Sequence, residues 1–168
     1  MSSADEWLIE AESAIRSIRE SQNYAIEKAS DMFATAIADD ALVHVFGSGH
    51  SRMNAEEMFP RIGSYPGFHP IVELSITNYH SVVGPNGLRQ AMFLEKVEGL
   101  GREILKQVNI HQGDVFLIFS STGINGVVIE ISLLLKAMGV PVVAVTSFAH
   151  GEATVSRHSS GKKLREIA

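Results

Sequence analysis

The amino-acid sequence predicts an α/β fold: a three-layer α/β/α sandwich on a parallel sheet, preceded by long N-terminal helices. Two patterns point there. Four short apolar runs, Ala41–Phe46, Ile71–Leu74, Val115–Phe119 and Val142–Val145, alternate with longer stretches whose apolar residues recur every three or four positions. Short, mostly apolar runs of this length read as strands buried on both faces, the habit of parallel sheets covered by helices. Two of the runs also empty into polar loops, Gly47-Ser48-Gly49-His50-Ser51 and Ser120-Ser121-Thr122-Gly123-Ile124-Asn125-Gly126. In open α/β sheets, sites lie at the carboxyl ends of the strands.

In chain order, Asp5 to Ala38 reads as helix, with Trp7, Leu8, Ala11, Ile15 and Ile18, then Ile26, Met32, Phe33 and Ile37, on one face. Ser21-Gln22-Asn23 interrupts the pattern, so a kink or two helices is expected. A continuous helix would span about 50 Å, more than a small domain is wide, so part of its apolar stripe is expected to pack on another subunit. Residues 1–39 are therefore read as a helical oligomerisation segment and 40–168 as the α/β domain. After the first strand, a helix is expected from Ser51 to about Phe59, ended by Pro60. Gly63–Pro70 reads as loop, Ile71–Leu74 as the second strand, and Ser75–Gly87 as an irregular segment long enough to suggest function. Leu88–Val108 carries a helical stripe, and Gln112-Gly113-Asp114 turns the chain into the third strand. Val127–Met138 is helical, with Gly139 as its C′ glycine and Pro141 just beyond. Val142–Val145 is the fourth strand, Ser147–Ser159 a polar loop, and Gly161–Ala168 the start of a further helix.

Composition narrows the function classes. At 168 residues one domain is the default, and a chain of that length buries most of its unfolded surface. No apolar tract approaches a membrane span, and Met1–Glu6 lacks the basic-then-apolar pattern of a signal peptide. The absence of cysteine excludes disulfides, thiol nucleophiles and thiolate metal sites, and fits a cytoplasmic protein. A net charge of −5 argues against nonspecific nucleic-acid binding. The one concentrated basic segment, Arg157 to Arg165, reads most simply as a solvated helix start. The histidines His44, His69 and His111 are scattered and no HxxxH pair occurs, so no metal is expected.

The two loops carry the chemistry. A buried strand that opens through a hydroxyl-rich loop into a helix start leaves N–H groups unpaired in a field that favours negative charge. Ser120, Ser121, Thr122 and Asn125 add side-chain donors, and Gly123 lets the backbone approach closely. An N-cap alone would need only one of these polar residues. A dinucleotide fingerprint at Gly47-Ser48-Gly49 would need a third glycine where Arg52 stands, although Glu73 occupies the place of its acidic residue. A P-loop is excluded, since no glycine-lysine-serine/threonine follows either loop.

Val45-Phe46-Gly47-Ser48-Gly49-His50-Ser51, Phe119-Ser120-Ser121-Thr122-Gly123-Ile124-Asn125 and Val142-Val143-Ala144-Val145-Thr146-Ser147 together resemble the sugar isomerase (SIS) domain family. More narrowly, with His158-Ser159-Ser160-Gly161-Lys162-Lys163-Leu164, the chain is similar to bacterial SIS proteins of phosphoheptose-isomerase-like type. The resemblance implies a flavodoxin-like sheet and a phosphorylated sugar as ligand. It implies that Ser120, Ser121, Thr122, Gly123 and Asn125 hold the phosphate, and Ser48, Gly49, His50 and Ser51 the sugar. No cofactor is expected, and the helices of Asp5–Ala38 are expected to build a homodimer or homotetramer. The family's fifth strand and closing helix would begin where this chain reaches Ile167-Ala168.

An aldose–ketose isomerase moves a proton between adjacent carbons through an enediol and needs a base within hydrogen-bond reach. Glu56-Glu57 resembles the acid/base glutamate of phosphoheptose isomerases and of phosphosugar etherases, at slightly shorter spacing from Gly49. Glu57 or Glu56 is thus the expected base, with His80 or His50 as partner. For either glutamate the plainer reading is a solvated helix residue. The leading expectation is a phosphosugar isomerase. The alternatives are a non-catalytic phosphosugar-sensing module and a phosphosugar etherase or lyase.

Overall fold

The computed structural model describes residues 1–77 and 86–168. They divide into two compact units, Met1–Thr35 and Ala36–Ala168. The first holds helix α1 (Ser3–Ser21) and most of helix α2 (Asn23–Ala38), separated at Gln22. Ser2 opens α1 with a reciprocal capping box: its hydroxyl accepts from the Asp5 N–H, and the Asp5 carboxylate accepts from Ser2. No residue of α1 is buried, and Trp7, Leu8, Ile15 and Ile18 are exposed.

The second unit is built on a four-stranded parallel sheet. Its strands are β1 (Val43–Gly47), β2 (Phe68–Ile71), β3 (Val115–Phe119) and β4 (Val142–Val145), in the order β2-β1-β3-β4. β1 and β3 are central and almost wholly buried: β3 is an unbroken apolar run, and β1 is apolar but for His44. The main core lies between the sheet and the helix after β3, α6 (Gly126–Ala137), around Phe46, Phe116, Ile118, Val127, Ile131, Leu135 and Leu164. This is the expected mixed α/β architecture with a parallel sheet.

Several elements differ from expectation. The second strand comes earlier, because His69 and Pro70 belong to it and pair with His44 and Val45. Proline has no N–H for a ladder, and β2 tolerates it as an edge strand. The helix expected at Ser51–Phe59 is a 3-10 turn, Gly49–Ser51, followed by a short α3 (Arg52–Glu56) and single turns up to Phe59.

The stripe read at Leu88–Val108 is two helices, α4 (Asn86–Leu94) and α5 (Leu100–Leu105). Gly99, at φ 98°, breaks it. The buried Glu130 carboxylate on α6 then caps the new start, accepting from the Gly99 N–H at 2.9 Å and the Gly101 N–H at 2.8 Å. A side chain at position 101 would meet Glu130 at 2.9 Å.

The expected polar loop after β4 contains a short helix, α7 (Phe148–Glu152), and the expected C-terminal helix start is a 3-10 turn, Leu164–Glu166. Much of the irregular segment Ser75–Gly87, with His80, lies outside the described residues. Among the described residues, no helix is long and apolar enough to cross a membrane.

Candidate functional site

Residue 47 of β1 pairs with residue 119 of β3, so the loops that follow them leave the sheet side by side. From β1 the chain goes on to β2 on one side, while β3 lies on the other. This is the switch point of the sheet, where neighbouring connections diverge and open a crevice at the carboxyl ends.

The first loop folds tightly back on its strand. The Ser51 N–H donates to the Ser48 carbonyl at 3.1 Å, and a Cβ on Gly47 would stand 2.5 Å from the Ser51 carbonyl oxygen. Only glycine fits there. Ser48 is buried, Ser51 half-buried and His50 exposed at this bend.

The second loop is organised by Ser120, whose buried hydroxyl accepts from the Gly123 N–H at 3.1 Å. Gly123 has φ 65°, a region that favours glycine, and a Cβ there would press on Thr146 and Leu164. Three of the loop's carbonyls are taken up by later chain. Ser121 accepts from the Ser147 N–H at 3.0 Å, Gly123 from Leu164 at 2.8 Å, and Ile124 from Arg157 at 2.9 Å. Its amides are not. Among the described residues, the N–H groups of Ser121, Thr122 and Ile124 meet no protein acceptor. Oxygens turned away and amides left over, at the start of a buried twelve-residue helix, make an anion-receptive surface.

Asn125 precedes α6 but does not cap it through its side chain. Its Nδ2 donates to a Glu95 carboxylate oxygen at 2.9 Å, and its Oδ1 accepts from the Arg157 guanidinium at 2.9 Å. Both ends of the amide are thus engaged. Glu95 and Arg157 did not stand out in the sequence. Glu95 had no signal beyond its place in the Leu88–Val108 stretch, and Arg157 only its membership of the basic Arg157–Arg165 segment.

The two candidate glutamates are separated by environment. Glu56 is half-buried and pairs at 2.6 Å with the buried Arg52. Glu57 is exposed, pairs with the exposed Arg61, and lines a hollow of about 400 Å³ with Tyr65 and Phe68. A larger hollow of about 460 Å³, lined in part by Arg102, Lys106 and His111, lies on the amino-terminal side of β3, away from both loops.

The histidines read as scattered are in fact assembled at that amino end. The buried His44 places Nε2 3.0 Å from Asp114 and Nδ1 2.8 Å from Nδ1 of His69. Asp114 also accepts from the Leu42 N–H at 2.9 Å and the His111 N–H at 2.7 Å. Burial holds the His44 pKa below its ordinary 6.5, against the raising effect of Asp114. Burial alone would raise Asp114, but its hydrogen bonds from His111, Leu42 and His44 together hold it below the ordinary 3.8. Neutral His44 donates from Nε2 to the carboxylate, so its Nδ1 accepts from His69.

With this geometry in view, comparison with known proteins assigns the family. The SIS domain profile matches residues 6–147. The chain belongs to the SIS domain family. A UPF0309 protein of Halalkalibacterium halodurans is 35% identical over 151 residues, which is 90% of this chain and 60% of that protein. One from Thermoanaerobacter pseudethanolicus is 33% identical over 165 residues, covering 97% of this chain and 64% of its own length. The chain thus spans less than two thirds of these curated relatives. A solved phosphoheptose isomerase from Francisella tularensis shares the fold, with a TM-score of 0.60 at 16% identity over 90% of this chain and 78% of the other.

Proposed function

We propose that this SIS-domain chain binds a phosphorylated sugar across the carboxyl ends of β1 and β3 and isomerises it between aldose and ketose forms. The observation that carries the reading is the pairing of Gly47 with Phe119, which sets the two loops side by side at the switch point. The N–H groups of Ser121, Thr122 and Ile124 and the hydroxyls of Ser120, Ser121 and Thr122 receive the phosphate, and Gly123 lets it approach. Ser48, Gly49, His50 and Ser51 face the sugar hydroxyls. Glu56 or Glu57 takes the proton from carbon and returns it to the neighbouring carbon through an enediol, with His50 or His80 serving the hydroxyl proton. The family membership and the shared fold with a phosphoheptose isomerase support this assignment.

A second reading, binding without turnover, is favoured by one feature: each glutamate is already held by an arginine, Glu56 by Arg52 and Glu57 by Arg61. Residues 1–39, with the exposed stripe of α1, are proposed to join copies into a homodimer or homotetramer.

The experiment is a panel of aldose and ketose phosphates read by thermal shift, then by NMR for solvent deuterium at C2 of the sugar. A shift with exchange supports the isomerase. A shift without exchange supports the sensor, and release of a substituent from the sugar supports an etherase or lyase. Absence of any shift at millimolar ligand overturns all three.

A further inference from the structure

We propose that Arg157 is the specificity-determining residue that reads the ligand's phosphate, held in place by Asn125 and Glu95. This deepens the phosphosugar reading and rests on it. The basic segment that looked like a solvated helix start is tied to the phosphate loop at two adjacent points: the Arg157 N–H donates to the Ile124 carbonyl and the Leu164 N–H to the Gly123 carbonyl. Of the cations in that segment, Lys163 is committed to the Gly151 carbonyl at 2.7 Å. Arg165 is committed to Glu152 at 3.3 Å and lies over the Phe148 ring. Arg157 is the one whose side chain is bonded to a loop residue, among the described contacts.

The chain of contacts fixes its orientation. Glu95 can only accept, so the Asn125 amide must turn Nδ2 toward it and present Oδ1 to the guanidinium. That bond uses one N–H of Nη1. Among the described residues, the Nε and Nη2 edge of Arg157 meets no protein acceptor. A planar edge with two parallel donors matches two oxygens of a phosphate, a geometry that lysine cannot reproduce. Asn125 and Glu95 are then positioning residues. Glu95 holds Asn125 but also puts a negative charge near the incoming anion.

This arrangement gives substitutions of opposite sign. Arg157 is exposed and its backbone bond survives substitution, so Arg157→Met and Arg157→Lys are expected to fold with an unchanged melting curve in the absence of ligand. Binding of inorganic phosphate, followed by ³¹P NMR titration of the full chain, should weaken by about 10- to 100-fold in Arg157→Met, the loss typical of a charged hydrogen-bonded pair. Arg157→Lys should recover part of it. Glu95→Gln keeps an acceptor for Asn125 and removes the charge, so it should bind phosphate roughly 1.5- to 5-fold more tightly.

Equal phosphate affinity in Arg157→Met and the unsubstituted protein overturns the assignment to Arg157 while leaving the phosphosugar reading intact. Weaker binding in Glu95→Gln overturns the opposed-charge account. If the unsubstituted protein binds neither phosphate nor any sugar phosphate, the parent reading has failed, and the assignment to Arg157 falls with it.

Discussion

The two ends of the central β1–β3 pair are built from the same buried apolar strands, yet they settle their polar groups in opposite ways. At the amino end, one buried carboxylate, Asp114, collects the N–H groups of Leu42 and His111 and the ring of His44, which in turn meets His69. At the carboxyl end, the carbonyls of Ser121, Gly123 and Ile124 are taken by later chain, but amide donors remain over. A closed network stabilises the fold through internal pairing, whereas an end with surplus donors is stabilised further only when something external accepts from them. Internally paired polar groups hold the fold while unpaired donors stay open to a ligand, so the two ends respond differently to substitution.

The largest effect is expected at the closed end. Asp114→Ala would leave two backbone N–H groups and the His44 ring without their acceptor in a site almost shut off from solvent. We expect a loss of about 3–5 kcal/mol in urea unfolding. A loss below about 1 kcal/mol would show that this end is not the structural clamp described.

Next comes Gly47→Ala at the open end. Its Cβ would lie 2.5 Å from the Ser51 carbonyl oxygen, a backbone atom that cannot swing away. The expected cost is about 1–3 kcal/mol, the usual range for overpacking. The thermal shift given by a sugar phosphate should shrink as well, because the loop proposed to face the sugar must move. Gly139→Ala is the control: its φ of 74° imposes strain, but nothing lies within 4 Å, so the shift should persist.

A smaller effect appears with pH and belongs to the closed end. The His44 pKa is held below 6.5 by burial, so the unfolded chain takes up this proton first as pH falls. Its contribution is complete above pH 6.5 and is lost on acidification through the lower folded value. Asp114, also depressed, repeats the pattern below pH 3.8. Unfolding free energy measured from pH 7.5 to 5 should therefore decline, with a shallower slope in His44→Gln. An equal slope in both proteins would remove His44 from the account.

These contrasts also explain what the sequence disclosed. β3 was legible residue for residue because an apolar run is bounded by Asp114 and Ser120. β4 was equally plain, and the glycine after α6 ends that helix as its position suggested. β2 was not, because its histidine and proline carry loop character and the strand is defined by pairing with β1. The break at Gly99 was hidden for a similar reason: the carboxylate that caps it comes from Glu130, 31 residues on. Within the site, both loops could be read locally. The partners of Asn125 could not, since they stand 30 and 32 residues away and meet only through the fold. The histidine cluster was missed on the same grounds.

The smallest stability effect is the most informative about chemistry. Glu57 and Arg61 are both about two thirds exposed, and an ion pair of that kind contributes little in water. Glu57→Gln should change unfolding free energy by less than about 0.5 kcal/mol. Glu56→Gln removes the carboxylate partner of a buried arginine and should cost more. Because Glu57→Gln barely touches the fold, its effect on C2 deuterium exchange reads chemistry alone. Loss of exchange with an intact phosphate-dependent shift would make Glu57 the base and extend the open end of the sheet to α3 and its neighbouring hollow. Retained exchange would transfer that role to Glu56, whose own Gln variant must then lose exchange while still binding phosphate. If both variants keep exchanging, neither glutamate moves the proton, and the carboxyl end of the sheet holds its ligand with a base drawn from elsewhere.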